Sequence, residues 1–251
     1  MVEKIRNYYL TFKGEKGIYG KSHFNRDLYY IKVCKSPFPK LIVQYSIHAR
    51  EYITSLLSLN QIEHFIKFGK KGTVYFLPLT NPDGVDICEK YNPLYKANGR
   101  GVDLNVNFPA KWGLGKTNQI NCGAENFIGE YPLSELESKA LCDFTLKVKP
   151  NATVSYHSKG EEIYWHFMQS GKRKEKDYRL AKLLAKSTGY ALKETPYSCG
   201  GYKDWCIETL KIPSFTIEVG SDNLTHPIKE EHLQSIFEKN KWVINILTEK
   251  L

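Results

Sequence analysis

Long apolar runs are missing from this 251-residue sequence. Nothing approaches the roughly 18 consecutive apolar residues that cross a bilayer. The first segment, Met1 to Gly14, has no apolar stretch of leader length. The expectation is a chain without a membrane span that stays in the cytoplasm. Cysteine pairing is missing too. Cys34, Cys88, Cys122, Cys142, Cys199 and Cys206 are scattered with no C-x-x-C among them. That spacing excludes a zinc ribbon or a dense disulfide scaffold and reads as reduced thiols; Cys199 and Cys206 are the nearest pair. No repeat, low-complexity tract or Pro/Gly/Ser linker divides the chain, so one domain over 1–251 is expected.

Arginine is scarce. Of 36 basic residues only six are Arg (Arg6, Arg26, Arg50, Arg100, Arg173, Arg179), and against 27 acidic residues the net charge is +9. Such a charge attracts an anionic partner without choosing it. The densest basic cluster, Lys172-Arg173-Lys174 with Lys176, is interrupted by Glu175. It reads as a solvated helix face, and no nucleic-acid partner is expected. A hydrophobic fraction of 41% with 25% charged residues excludes a mainly disordered chain.

Short apolar, β-branched runs recur at Leu28 to Cys34, Leu41 to Ile47, Thr73 to Leu79, Ala152 to Tyr156 and Ser214 to Val219. Helical periodicity lies between them, at 51–68, 134–147, 176–188 and 230–248, with Ser134-x-x-Glu137 as a capping box for the second. Alternating strands and helices predict an α/β fold: a three-layer α/β/α domain on a mixed, mostly parallel central sheet. The runs at 41–47 and 214–219 are apolar on both faces, as central strands are.

Chemistry collects where these strands end. His48 and Glu51 follow the run 41–47, in Ser46-Ile-His-Ala-Arg-Glu; alone, one H-x-x-[DE] pair is about what chance supplies. His157 follows the run 152–156, and Glu218 sits inside Thr-Ile-Glu-Val-Gly, where burying a carboxylate is costly unless it is used. Two His and one carboxylate make an open zinc site, with Glu218 as a base beside it.

In sequence order, His-Ala-Arg-Glu (48–51), Asn-Pro-Asp-Gly (81–84), Gly-Val-Asp-Leu-Asn (101–105), Ser-Tyr-His-Ser (155–158), Gly-Gly-Tyr-Lys-Asp-Trp (200–205) and Thr-Ile-Glu-Val-Gly (216–220) together resemble the zinc carboxypeptidases. With Tyr-Lys-Ala-Asn-Gly-Arg-Gly-Val-Asp and Tyr-Pro-Leu-Ser-Glu, the wording is most similar to the bacterial branch that cuts γ-D-glutamyl–diaminopimelate bonds in peptidoglycan peptides. The resemblance implies one zinc per chain on His48, Glu51 and His157, with Glu218 taking a proton from the attacking water. It implies that Asp103 orients a ligand histidine. Lys96 or Arg100 would face the developing oxyanion, where the family uses an arginine. Arg50, Asn105, Tyr197, Tyr202 and Lys203 fall at substrate-binding positions. At Val106 the pattern departs: the family reads Asn-Arg-Asn, here it is Asn105-Val106-Asn107, and valine cannot grip a terminal carboxylate.

The expected function is hydrolysis of a stem-peptide amide, with an acidic muropeptide as partner. Cleavage at ordinary peptide C-termini is the alternative, and a zinc-containing, peptide-binding domain without turnover a further one.

Overall fold

A computed structural model describes every residue except Ala124, Thr195 and Pro196. Helix α1 (Val2–Thr11) leads into a hairpin of β1 (Glu15–Lys21) and β2 (Asp27–Cys34), followed by β3 (Lys40–Tyr45), α2 (Ile53–Phe68), β4 (Thr73–Leu77) and α3 (Pro82–Lys90). Then come α4 (Leu136–Val148), β5 (Ala152–His157), β6 (Glu162–Tyr164), α5 (Gly171–Thr188), β7 (Ala191–Lys193), α6 (Tyr202–Glu208), β8 (Ser214–Glu218), α7 (Leu233–Asn240) and α8 (Val243–Lys250). The strands form one sheet in the order β1-β2-β4-β3-β5-β8-β6-β7. Pairing is parallel through β4-β3-β5-β8 and between β6 and β7, and antiparallel elsewhere.

Alternation along β3 shows why the middle runs are apolar throughout. Leu41, Val43 and Tyr45 face a core shared with α2, α5, α7 and α8, whereas Ile42 faces a second core with Leu141 and Phe144 of α4 and Trp205 and Cys206 of α6. Helices thus cover both faces of a mixed sheet, the three-layer arrangement expected from the alternating pattern. Among the described residues, no helix is long and apolar enough to cross a membrane.

Several boundaries differ from the periodicity. The 230–248 stretch is a 3-10 turn at Glu230–His232 followed by α7 and α8, because both helices turn an apolar stripe to the same core and so keep one apparent period. Helix α5 starts earlier than its apolar pattern, at Gly171. The expected capping box at Ser134 and Glu137 does not form. Ser134 Oγ donates to Glu135 Oε1 and accepts from Asn107 Nδ2, while Glu137 accepts from the His23 N–H and from Asn98 Nδ2. Tertiary partners outcompete the local cap.

The Asn-Pro-Asp-Gly motif is a brace for the turn that carries His48. Asn81 Nδ2 donates to the carbonyls of Ile47 and Ala97, and its Oδ1 caps α3 through the Gly84 N–H at 3.0 Å. A Cβ on Gly84 would lie 2.1 Å from the Ala97 oxygen, so glycine is required by close approach. Asp83, fully buried, accepts from Ser22 Oγ, the Phe24 N–H and Arg26 Nη1 and ties down the β1–β2 hairpin.

Candidate metal centre and substrate cleft

Strands β3, β5 and β8 lie side by side and parallel, so their carboxyl ends open on one edge of the sheet, where α/β proteins gather functional groups. His157 closes β5 and Glu218 closes β8, paired in register. Past β3, Ser46 turns the chain with φ +50°, a conformation a serine holds only under constraint. The constraint is visible: its N–H donates to Thr54 Oγ1 at 2.9 Å, and its Oγ lies 2.8 Å from Ser55 Oγ. The chain then passes through His48 into a 3-10 turn, Ala49–Glu51, pinned by the Ala49 N–H on the Lys96 carbonyl.

His48, Glu51 and His157 converge, each buried. His48 Nδ1 is 2.8 Å from Glu51 Oε1, His157 Nδ1 is 3.0 Å from Glu51 Oε2, and the two Nδ1 atoms are 3.1 Å apart. One ligand atom from each lies within 4.8 Å of the others. Burial opposes charge on His48, but Glu51 and Asp103 outweigh it and lift its pKa to about 9. Burial likewise opposes ionisation of Glu51, yet His48 and His157 hold its carboxyl well below the usual range. Burial lowers His157, whose Nε2 is enclosed without a hydrogen-bond partner among the described residues. Two ring nitrogens and a carboxylate aimed at one point is what a divalent cation resolves. The donor set fits zinc and leaves a coordination position open.

Around this centre, Asp103 lies against His48. It caps the 3-10 turn Leu104–Val106 through the Asn105 N–H, and its Oδ1 is 3.1 Å from His48 Nε2. Its Oδ2 is 2.7 Å from Lys96 Nζ, which also donates to Asn126 Oδ1. Glu218 lines a cavity of about 210 Å³ with Asn105, Tyr164, Ser198, Gly201, Lys203, Asp204 and Thr216. Burial, and then the Glu51 carboxylate, push its pKa well above the usual carboxylate range. A carboxyl group that holds a proton readily therefore stands at the cavity wall.

The sequence profile of the zinc carboxypeptidases matches residues 15–241. The chain belongs to this family. Among curated relatives, γ-D-glutamyl-L-diamino acid endopeptidase 1 of Lysinibacillus sphaericus is 27% identical over 243 residues, covering 79% of this chain and 61% of that protein. Carboxypeptidase B2 of Rattus norvegicus is 30% identical over 240 residues, covering 80% and 56%. The chain thus spans about 60% of the length of these two relatives. Among solved structures, murein-tripeptide amidase MpaA of Escherichia coli O157 shares the fold with a TM-score of 0.68 at 21% identity, covering 97% of this chain and 95% of that one. Bovine thrombin-activatable fibrinolysis inhibitor gives 0.85 at 23% identity, covering 99% and 93%. Zinc is the metal of the family, and the three residues that converge here fit it.

The other expected residues divide. Lys96 reaches the centre through Asp103, whereas Arg100 is engaged elsewhere, 3.3 Å from Glu130 and 3.9 Å from Glu135. Arg50 sits at the rim, on Glu125 at 2.8 Å and the Leu94 carbonyl. Asn105 lines the cavity and accepts from the Tyr202 N–H. Tyr197 is 60% exposed, with Lys116 Nζ 3.8 Å from its ring centroid. Tyr202 requires correction. Its side chain is fully buried between Phe108 and Trp205, with its hydroxyl 2.8 Å from Thr145 Oγ1, so it packs the core under α4 and has no surface for a substrate. Lys203, its neighbour, does face the cavity. Tyr164 and Asp204 were not anticipated: Tyr164 lies on a three-residue strand too short to show a period, while Asp204 was visible inside the Gly-Gly-Tyr-Lys-Asp-Trp motif.

Proposed function

We propose that this chain is a zinc peptidase that hydrolyses the amide between a γ-D-glutamyl residue and a diamino acid in peptidoglycan stem peptides. The observation that carries the reading is the shared wall of one cavity: Glu218, next to the His48–Glu51–His157 centre, lines it together with Lys203 and Asp204. Held by His48, Glu51 and His157, zinc would supply Lewis acidity toward the carbonyl and would lower the pKa of water toward neutrality. Glu218 then holds the water's proton on a carboxylate oxygen as the new C–O bond forms. It returns that proton to the amine as the C–N bond breaks, for which a raised pKa suits it. Asp103 keeps His48 in one orientation through Nε2, and Lys96 holds Asp103 ionised. The Lys96 ammonium, on the far side of Asp103, also favours the developing oxyanion.

The name of the L. sphaericus relative supports the γ-D-glutamyl bond, and the cavity's polar lining suits a substrate charged at its far end. Cleavage at ordinary C-termini has the similarity to carboxypeptidase B2 in its favour. Against it stands Val106, which removes the cation expected to grip a terminal carboxylate.

Glu218→Gln tests the assignment. Turnover of a γ-D-glutamyl–diaminopimelate peptide should fall by ~10²–10⁴-fold, while zinc content by mass spectrometry stays at one per chain. Wild-type turnover in this variant would remove Glu218 as the base. Faster cleavage of hippuryl-type substrates by the unmodified protein would favour ordinary C-termini.

A further inference from the structure

Helix α5 turns Asp177, Leu180, Ala181, Leu184 and Thr188 inward. At about 100° per residue, its opposite side carries Lys172, Lys176, Arg179, Lys182 and Lys186, all exposed, with Glu175 as the one acid among them. The cluster at 172–176 is thus one end of a basic ridge that runs about 21 Å along the helix, at roughly 1.5 Å per residue. None of these cations forms an ion pair among the described residues. Exposed basic residues elsewhere are matched, as Lys21 is by Asp27, Lys90 by Asp86 and Lys241 by Glu238. On α5 itself, Arg173 and Lys174 point to the sides and are engaged, by the Ile207 carbonyl and by Glu194.

The ridge works against its own helix. Lys172 with Lys176, and Lys182 with Lys186, are like charges four residues apart, which repel. The first turn holds no acid and carries Lys172, Arg173 and Lys174, where the helix dipole favours anions. Packing of Leu180, Ala181 and Leu184 into the core holds the helix in spite of this. Charges set against the helix that bears them are resolved by an anionic partner outside it.

Shape narrows that partner. A helix ridge is convex, and no α5 side chain lines any of the larger cavities among the described residues, so a single small anion has no seat there. Reading duplex bases calls for Arg, Asn or Gln aimed at base edges, and this ridge is lysine but for Arg179. Lysine brings a point charge, which sums over a diffuse anionic plane without recognising one group in it. Tyr178 and Leu183, 42% and 37% exposed, accompany the ridge and offer apolar surface to a headgroup layer. We propose that α5 is a docking face for an anionic lipid bilayer, drawn to its negative surface charge. The helix covers a face of the sheet, whereas the metal centre opens at the carboxyl edge of the strands, so docking leaves the cleft unobstructed. Such docking is independent of the bond the protein cuts.

Cosedimentation with vesicles tests it, comparing phosphatidylcholine alone with phosphatidylcholine mixed with phosphatidylglycerol. The unmodified protein should bind the mixed vesicles and not the neutral ones, and binding should be lost as salt shortens the Debye length below roughly 10 Å. Each cation near an anionic surface contributes about fivefold in affinity, so K176Q, R179Q and K182Q combined should weaken binding by roughly 100-fold. K13Q, K70Q and K71Q combined remove the same charge from exposed positions outside α5 and should change binding by less than about fivefold. All the altered positions are exposed, so both variants should keep the Tm and the turnover of the unmodified protein. An equal loss of binding in the two variants would put the attraction in net charge and overturn the assignment to α5. Failure to bind mixed vesicles at low salt, or equal binding to neutral ones, would overturn the lipid face. Tighter binding to soluble polyphosphate or duplex DNA than to mixed vesicles would overturn it too, by naming another occupant.

Discussion

Replacing Asp103 by Asn separates two jobs that one carboxylate does. Asp103 is 1% exposed and stands between His48 Nε2 and Lys96 Nζ, at 3.1 and 2.7 Å. Burial alone would raise its pKa, but Lys96 and then His48 hold it far below the usual carboxylate range. Asn keeps the shape and the bond from the Asn105 N–H but removes the charge. Breaking one partner of a buried ion pair costs about 3–5 kcal/mol. Lys96 retains 17% side-chain exposure, which lets water compensate part of that, so a loss of roughly 2–4 kcal/mol is expected. Separately, turning the carboxylate oxygen that faces His48 Nε2 into a neutral amide oxygen should weaken zinc by about 10–100-fold.

Urea titration of the chelator-treated protein reads the first quantity, and competition with a chromophoric chelator reads the second. The two are separable by a second substitution. Adding Lys96→Met to Asp103→Asn removes the stranded ammonium and should recover most of the stability. It should not recover zinc affinity, because Lys96 touches Asp103 and not His48. If Asp103→Asn binds zinc as tightly as the unmodified protein, the charge of Asp103 does not support His48 as a ligand, whatever happens to stability.

Two further outcomes follow from groups away from the centre. Glu137 is buried, and burial raises its pKa against the opposing hydrogen bonds from His23 and Asn98. Its protonated form is thus favoured by folding: the contribution is full below the ordinary glutamate value of 4.5 and is lost as pH rises through the higher folded value. Glu137→Gln should therefore raise Tm relative to the unmodified protein at pH 7 but not at pH 4, and a pH-independent difference would contradict the argument. Tyr202→Phe removes a hydroxyl bonded to Thr145 in the core. Denaturation should show a loss of about 1 kcal/mol with KM unchanged, whereas a raised KM would restore Tyr202 to substrate binding.

How much of this was readable beforehand depended on burial. β3 and β8 announced themselves because both their faces are covered, which forces apolar residues at nearly every position. β1 did not: as an edge strand with most residues at least partly exposed, Glu-Lys-Gly-Ile-Tyr-Gly-Lys has no alternation to detect. β6 and β7 are three residues each, and their place in the sheet comes from β8 and not from propensity. His48, Glu51, His157 and Glu218 were legible for a related reason. They sit at the ends of covered strands, where a polar residue interrupts an apolar run and so stands out.

The cleft was less legible, and Tyr202 and Lys203 show why. They are neighbours in one motif, and nothing in their types says which meets a substrate. The helix decides: successive residues of α6 point about 100° apart, so Tyr202 enters the core beneath α4 while Lys203 enters the cavity. That rotation is fixed by the capping of Gly201 through Asp204, a tertiary fact with only a faint local trace. The same reasoning limits what a net charge of +9 conveys. The charged side chains lining the cavity are one cation, Lys203, and two carboxylates, Asp204 and Glu218. The overall basicity acts at a distance, where it attracts anionic ligands without choosing among them. Inside the cavity the charges are desolvated and individually placed, and there Lys203 and Asp204 stand as a pair of opposite sign rather than as a positive patch.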